Sequence, residues 1–501
     1  MSKATIVWLA ILSAVASAAC GEVLGHPVIP PPDGGDPDGG LDFEWLTFYG
    51  SESADSINAA TNDGDDGVRL AGYSYAGWNG PDGESALHDF EPSDAGVGDS
   101  FILSLGSDGT YRWHTFYGPD VEFFSIASDG YGRTYLVGIS YVAWDGPGGE
   151  SPLHAFQPDG SNTVILALDE NGSYRWHTFF GCDSTVRGYS IAVAADGDTI
   201  ITGDSSSDWD GPNGESPLYD FTESETPQNN AFVLALTQDG TYLWHAFFGT
   251  NGTNGFSVTA SGDERLFVAG VSDFSSWNGP DGEAPLRAFE TSADDLGPAF
   301  VLALNGDGTY LWHTFYNGMA VLMDSSIAAD ISGSTYVVGE ASSSWNGSGG
   351  EAPLHAFSGT SFGTRDAVVL KLGADGAYRW HTFYGADSRV NGRSIKVDAE
   401  GTVLVAGDSD LSWSGPEGQD PIYAHSGDYD PFLLALDSDG GYLQHAFFGS
   451  GERDSHAGLA FDESGALYLS GSSVVWYGPD GEPPLHAHSG MRDAFVLKLT
   501  Y

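Results

Sequence analysis

Basic residues are scarce in this sequence: 17 Lys and Arg stand against 70 Asp and Glu, a formal net charge of −53 over 501 residues. A field of that sign repels phosphate backbones, which argues against a nucleic-acid partner, and its ordinary role is a solvated, soluble shell. Cysteine is nearly missing. Cys20 and Cys182 are too few for a disulfide framework, and Cys182 is expected as a free thiol. The apolar run Ile6–Val15 is too short for a membrane span, which takes roughly 20 residues. Glycine and aromatic residues are plentiful, so turn chemistry and core-forming side chains are both in supply.

What the chain holds is repetition. Trp113-His114-Thr115-Phe116-Tyr117-Gly118 returns at Trp176, Trp244, Trp312 and Trp380, with looser copies at Trp45 and Gln444, at intervals of 68, 63, 68, 68, 68 and 64 residues. A unit of that length, rich in β-branched and aromatic residues and broken by Gly turns, predicts one propeller blade per repeat.

Residues 1–20 have the layout of an export signal: Lys3, the apolar stretch Ile6–Val15, then small residues at Ala16-Ser17-Ala18. Ser17-Ala18-Ala19-Cys20 resembles a bacterial lipobox, departing at Ser17 where that motif carries Leu. Lipidation of Cys20 and plain cleavage both stay open. Residues 21–42, with Pro30-Pro31-Pro32 and Asp33-Gly34-Gly35-Asp36, compose a Pro/Gly/Asp linker between an anchored end and the folded body, residues 43–501.

Each unit shows the same order, clearest in the third. Ser190–Ala194 and Thr199–Gly203 are strands about an Asp-Gly turn; a long connection follows, then strands Ala231–Leu236 and Tyr242–Phe248. The third strand of every unit is apolar almost without alternation, so both its faces must be buried, as in a blade packed between neighbours. The body begins on a fourth-strand motif, Glu44–Gly50, and ends on a third strand, Ala494–Leu499. Together they complete one unit. The expected fold is therefore all-β: a seven-bladed β-propeller of four antiparallel strands per blade, closed by its N-terminal strand and standing as a monomer.

The segments Ser326–Asp330, Gly333–Gly339 and Asp366–Leu372 followed by Asp375-Gly376 resemble the seven-bladed β-propeller repeat (SBBP) family over essentially all of the chain after residue 42. The resemblance implies an exported bacterial protein, often a lipoprotein or cell-surface module, and implies no catalytic residues. The Trp-Gly-Pro-x-Gly-Glu-x-Pro-Leu connection is longer and more regular than that family's.

Repeated residues read as scaffold. Trp113, Trp176, Trp244, Trp312 and Trp380 share the fourth-strand register with Trp45, and Trp78, Trp144, Trp209, Trp277, Trp345, Trp413 and Trp476 share the long connection. Both sets are expected to pack blades together. Glu84, Glu150, Glu215, Glu283, Glu351 and Glu482, with Gln419 in the sixth copy, are expected to accept backbone N–H bonds within their loops. One His per blade, a blade's width apart, cannot converge on a metal ion, so no metal or cofactor is expected. Asp454-Ser455-His456 holds triad residue types, but adjacency along a chain is not triad geometry.

Function is sought where the repeat fails. The connections from fourth strand to next first strand, near Asp120–Phe124, Arg187, Met319–Asp324, Arg389–Arg393 and Arg453–His456, are not repeated. With the long connections they are expected on one face, around the channel mouth. Arg187, Arg389, Arg393, Lys396, Arg453, Asp454 and His456 are the candidate ligand-binding residues, for an anionic glycan or protein surface; pairing with local Asp is the competing role. The expected function is an exported, envelope-anchored binding or scaffold module at the outer membrane or cell surface, touching a membrane only through a lipid on Cys20. The rival is an enzyme on the same face, of polysaccharide lyase or quinone-dependent dehydrogenase type, and a third reading is a purely structural protein.

Overall fold

The computed structural model describes residues 40–500, apart from residue 65 and residues 92–97, 224–228, 251, 273–275, 290–296, 323–325 and 463–464. The export segment, Cys20 and the linker up to residue 39 lie outside the described residues, as do Met323 and Asp324. The first strand takes in Asp42, which composition had assigned to the linker.

Strand pairing sorts the body into seven separate antiparallel sheets. Blades one to six occupy residues 55–119, 121–180, 186–248, 253–316, 319–384 and 390–447, each with its four strands side by side in chain order. In blade five two short pieces, Met319–Ala320 and Ile327–Ala329, share the inner position. Blade seven joins the two ends of the body. Asp42–Tyr49 pairs antiparallel with Asp493–Thr500, Leu46 opposite Leu497 and Phe48 opposite Phe495, as the outermost strand of the last sheet. Closure by the N-terminal strand, with seven blades, is as the repeat predicted.

The core lies between blades. Seven clusters of buried side chains each draw on two neighbouring sheets, the third strands supplying members to both sides. In blade two, Asn162–Leu168 is buried at every position. Such strands alternate between two cores rather than between core and solvent, which is why their sequence does not alternate. Burying one Phe or Leu contributes about 1.5–3 kcal/mol, so each cleft is a substantial adhesive surface.

The long connections depart from expectation. They leave from the channel-mouth face but do not stay there; each runs down the outside of its own blade and returns. Leu87 N–H donates to the His114 carbonyl (2.9 Å) and Phe116 N–H to the His88 carbonyl (3.0 Å), and the other six blades repeat both bonds. The connection thus covers the exposed ladder of the outer strand, the edge at which a sheet otherwise recruits another strand. The turn at its tip is fixed as the sequence suggested: Glu84 accepts from Asp82 N–H at 2.9 Å, and Gln419 accepts from Glu417 N–H at the same distance.

The two tryptophan registers do different work. In the fourth strand, indole N–H groups reach the following blade: Trp45 donates to the Ser107 carbonyl (3.0 Å), Trp176 to Gln238, Trp312 to Ala374 and Trp380 to Ser438. Trp113 takes Arg69 over its ring instead, and Trp244 is buried at the same register. In blades one to six the tryptophan of the long connection stacks on the histidine of its own blade's outer strand, Trp78 on His114 at 4.0 Å and Trp345 on His381 at 3.7 Å. Of the expected inter-blade packing, the first register carries the clearest share.

Candidate functional site

The inner strands surround a central channel, and six of them carry the same irregularity. Each β-ladder between first and second strand skips one residue: Asn58, Phe124, Tyr189, Phe256, Arg393 and Ala457. A bulged residue leaves the ladder and its side chain is re-aimed, a device found next to binding sites. The cause is a glycine directly across the ladder. A Cβ on Gly203 would overlap the Arg187 carbonyl oxygen, and one on Gly407 the Asn391 carbonyl; Gly72, Gly138, Gly270 and Gly471 stand in the same relation to their own inner strands. Those glycines repeat in every blade, whereas the bulged residues do not.

The bulged side chains give the channel mouth two unlike walls. On blades two to four, Phe124 and Tyr189 lie 5.8 Å apart and Tyr189 and Phe256 5.5 Å, a row of three rings. Phe124 and Phe256 are half-buried, Phe256 packing on the core between blades four and five, and Tyr189 is buried between them. Blades one and six present Asn58 and Arg393. Asn58 Nδ2 donates to the Phe123 carbonyl (2.9 Å), which links blade one to blade two. Two residues nearer the mouth are Ser56, Glu122, Arg187, Asn254, Asn391 and Ser455, again unlike one another. Burial raises the Glu122 carboxyl above its ordinary range even though its surface is open.

Arg187 and Arg393 are not loose surface cations. Arg187 Nε and Nη2 bind the two oxygens of Asp204 at 3.1 and 2.9 Å, and Tyr189 shares that carboxylate. Asp204 is fully buried, which raises its carboxyl against the pull of Arg187. Arg393 Nε binds Asp408 at 2.6 Å, and Asp408 also accepts the His456 backbone N–H at 2.5 Å, tying blade six to blade seven. The competing role of pairing with local Asp therefore holds for these two.

The remaining candidates divide. Arg389 and Arg453 are exposed on the connections at the mouth, Arg453 lying 4.7 Å over the Tyr429 ring. Lys396 stands deeper, on the channel wall. His456 is buried, its Nε2 2.9 Å from Ser394 Oγ on blade six, and burial with nearby Arg393 depresses its imidazole to about 3. Asp454 turns away from it, accepting Ser450 N–H at 2.5 Å and bonding Ser473 Oγ. The three triad residue types thus do not assemble: Ser455 bonds Arg492 and its own blade, and His456 Nδ1 meets no partner among the described residues. Among the described residues no three His, Cys, Asp or Glu are placed to hold a metal ion. Cys182 is a half-buried free thiol.

Sequence reasoning did not anticipate the bulged row. The signal was present in the second-strand glycine, which recurs in all seven units.

No protein-family model matches the chain, and no curated protein matches it. Solved structures similar to it include the β-propeller domain of the Trilobed protease from Pyrococcus furiosus, with 7% identity, 91% of this chain and 94% of that one covered, and a TM-score of 0.41. Sqt1 from Chaetomium thermophilum aligns at 10% identity over 92% and 99% of the two chains, TM-score 0.41. A gluconolactonase from Xanthomonas campestris aligns at 12% identity over 74% and 90%, TM-score 0.30. At these values the assignment of fold rests on the strand pairing itself.

Proposed function

We propose that this chain is a binding module whose channel mouth holds a glycan, exported and tethered by its N-terminal segment as the SBBP-like repeat and the lipobox-like Ser17–Cys20 suggest. One observation carries the reading. At the register where six inner strands leave their ladders, blades two to four supply aromatic rings and blades one and six supply Asn58 and Arg393. Aromatic faces stack on the apolar faces of sugar rings, while fixed polar groups orient hydroxyls. The rigid blades behind the bulges keep that arrangement preorganised.

A glycan array probed with wild type and with Phe124→Ala and Phe256→Ala tests it. Each truncation is expected to weaken binding about tenfold, ~1.4 kcal/mol, with the melting temperature nearly unchanged. Equal binding by all three proteins, or a footprint on the opposite face, defeats the proposal. The tether is decided by the intact mass of membrane-fraction protein: an unmodified N-terminus removes the lipid and leaves export standing.

A further inference from the structure

Below the mouth the channel narrows to a cavity of 160 Å³ lined by the inner strands of blades one to six. Cross-strand pairing places Lys396 opposite Leu404, and the matching residues of the other blades are Thr61, Ala127, Ala192, Thr259, Ala328 and Ala460. One long amine thus stands in a ring of small side chains, three residues further along its strand than Arg393, about 10 Å at ~3.3 Å per residue.

Among the described residues this amine meets no counter-charge. No hydrogen bond or ion pair joins it to a described residue, and no described carboxylate contributes to the cavity wall, in a chain with 70 acidic residues. Burial alone lowers the affinity of its nitrogen for a proton. Lys396 is half-buried in a wall of Ala, Ile, Val, Ser and Thr side chains, and an ammonium held there without an anion is stabilised when an anion enters beside it. Thr259 brings a hydroxyl to the same space, and hydroxyls donate to anions, whereas the Ser128 hydroxyl is given to Asn62 Oδ1 (2.5 Å) and the Thr61 hydroxyl lies 3.2 Å from Ser128 Oγ. The volume admits roughly five waters at ~30 Å³ each, so the guest is small.

We propose that Lys396 makes this cavity a binding site for a small carboxylate. The carboxylate arrives as a free anion or as the acid group of a sugar whose ring occupies the mouth, and only the second source rests on the glycan reading above. The ammonium supplies the charge, and Thr259 supplies a hydroxyl donor.

Calorimetric titration of the full chain with sodium acetate, sodium glucuronate, glucose and sodium chloride, for wild type, Lys396→Met and Phe124→Ala, tests this. Acetate is expected to bind wild type and to lose at least tenfold in affinity with Lys396→Met, while glucose is indifferent to that change. Glucuronate weakened by both substitutions identifies an acid carried on a sugar. Acetate weakened by Lys396→Met, with glucuronate silent, identifies a free anion and leaves the glycan reading to fail separately. Acetate that does not bind wild type, or binds both proteins equally, overturns the proposal, as does chloride binding without acetate. Lys396→Gln, which keeps a polar side chain, replaces Met if that variant folds poorly.

Discussion

At the scale of single residues the repeated histidines show how imidazoles can be held by fixed bonds within a scaffold. In blade one His114 Nε2 lies 3.0 Å from the Trp78 carbonyl and Nδ1 lies 2.7 Å from Tyr111 Oη. A carbonyl only accepts, so Nε2 carries the proton and Nδ1 receives the tyrosine hydroxyl. Blades two to six repeat the arrangement at His177, His245, His313, His381 and His445. Protonation would set an N–H against the tyrosine O–H, and desolvation by burial depresses His114, His245, His313, His381 and His445 to about 4. A folded-state value below the unfolded ~6.5 gives stability that is complete above pH 6.5 and is lost as pH falls towards 4. Buried Asp55 and Asp99, raised to about 6, act oppositely, losing their contribution as pH rises through 6. Imidazole NMR is expected to show these histidines neutral at pH 5; titration near 6.5 would contradict the assigned bonds. Blade seven makes the same space without the polar pair, placing Phe43 and Leu46 where the others have Tyr and His, consistent with removing both partners of a buried hydrogen bond at little cost.

At the scale of the element, the bulge depends on one glycine per blade. Gly203→Ala would drive a methyl into the Arg187 carbonyl, so either the inner strand straightens or the second strand is pushed aside. Overpacking of this kind costs about 1–3 kcal/mol or somewhat more. Chemical denaturation of Gly203→Ala and Gly407→Ala should show that loss, together with a change in the near-UV aromatic signal from Tyr189 for the first. A substitution that is silent in both means that the bulge does not need the glycine. This glycine also marks the limit of what the sequence made legible. Blade number, strand order and closure followed from the 68-residue spacing and from the split unit at the ends, because repetition maps directly onto architecture. The bulges did not follow, since a glycine in a strand has several ordinary explanations. The wrapping of the long connection did not follow either: Gly-Pro and x-Gly steps specify a tight turn, not the surface against which it lies. Asp204 and Asp408 were passed over because their register holds Tyr73, Ile139 and Val271 in other blades, and only the fold brings them under Arg187 and Arg393.

At the scale of the whole molecule, stability hangs on one seam. Asp42–Tyr49 contributes Leu46 and Phe48 to one inter-blade core and Trp45 and Tyr49 to the next. The Asp55 N–H bond to the Arg492 carbonyl (2.8 Å) and the Ser489 Oγ bond to the Gly50 carbonyl (3.0 Å) fasten its exit. Deleting residues 42–49 removes a ladder and two half-cores, and should lower stability by several kcal/mol while exposing the edge of Asp493–Thr500 to strand pairing. Thermal melting and light scattering follow both effects. A truncated chain that melts like the intact one and stays monodisperse would mean that the last blade holds without the clasp.

The same seam sets a schedule for synthesis. The clasp strand ends at Tyr49 and its partner begins at Asp493, so 444 residue steps separate them. A ribosome adding about 5–20 residues per second takes roughly 20–90 s to cover that distance. Throughout that time the first strand made has no partner, while blades one to six can assemble on one another in order. Contacts of such long separation form late. The newborn arc therefore carries an orphan strand at one end and an open sheet edge at the other, and is most prone to capture by a neighbouring chain just before the final residues emerge.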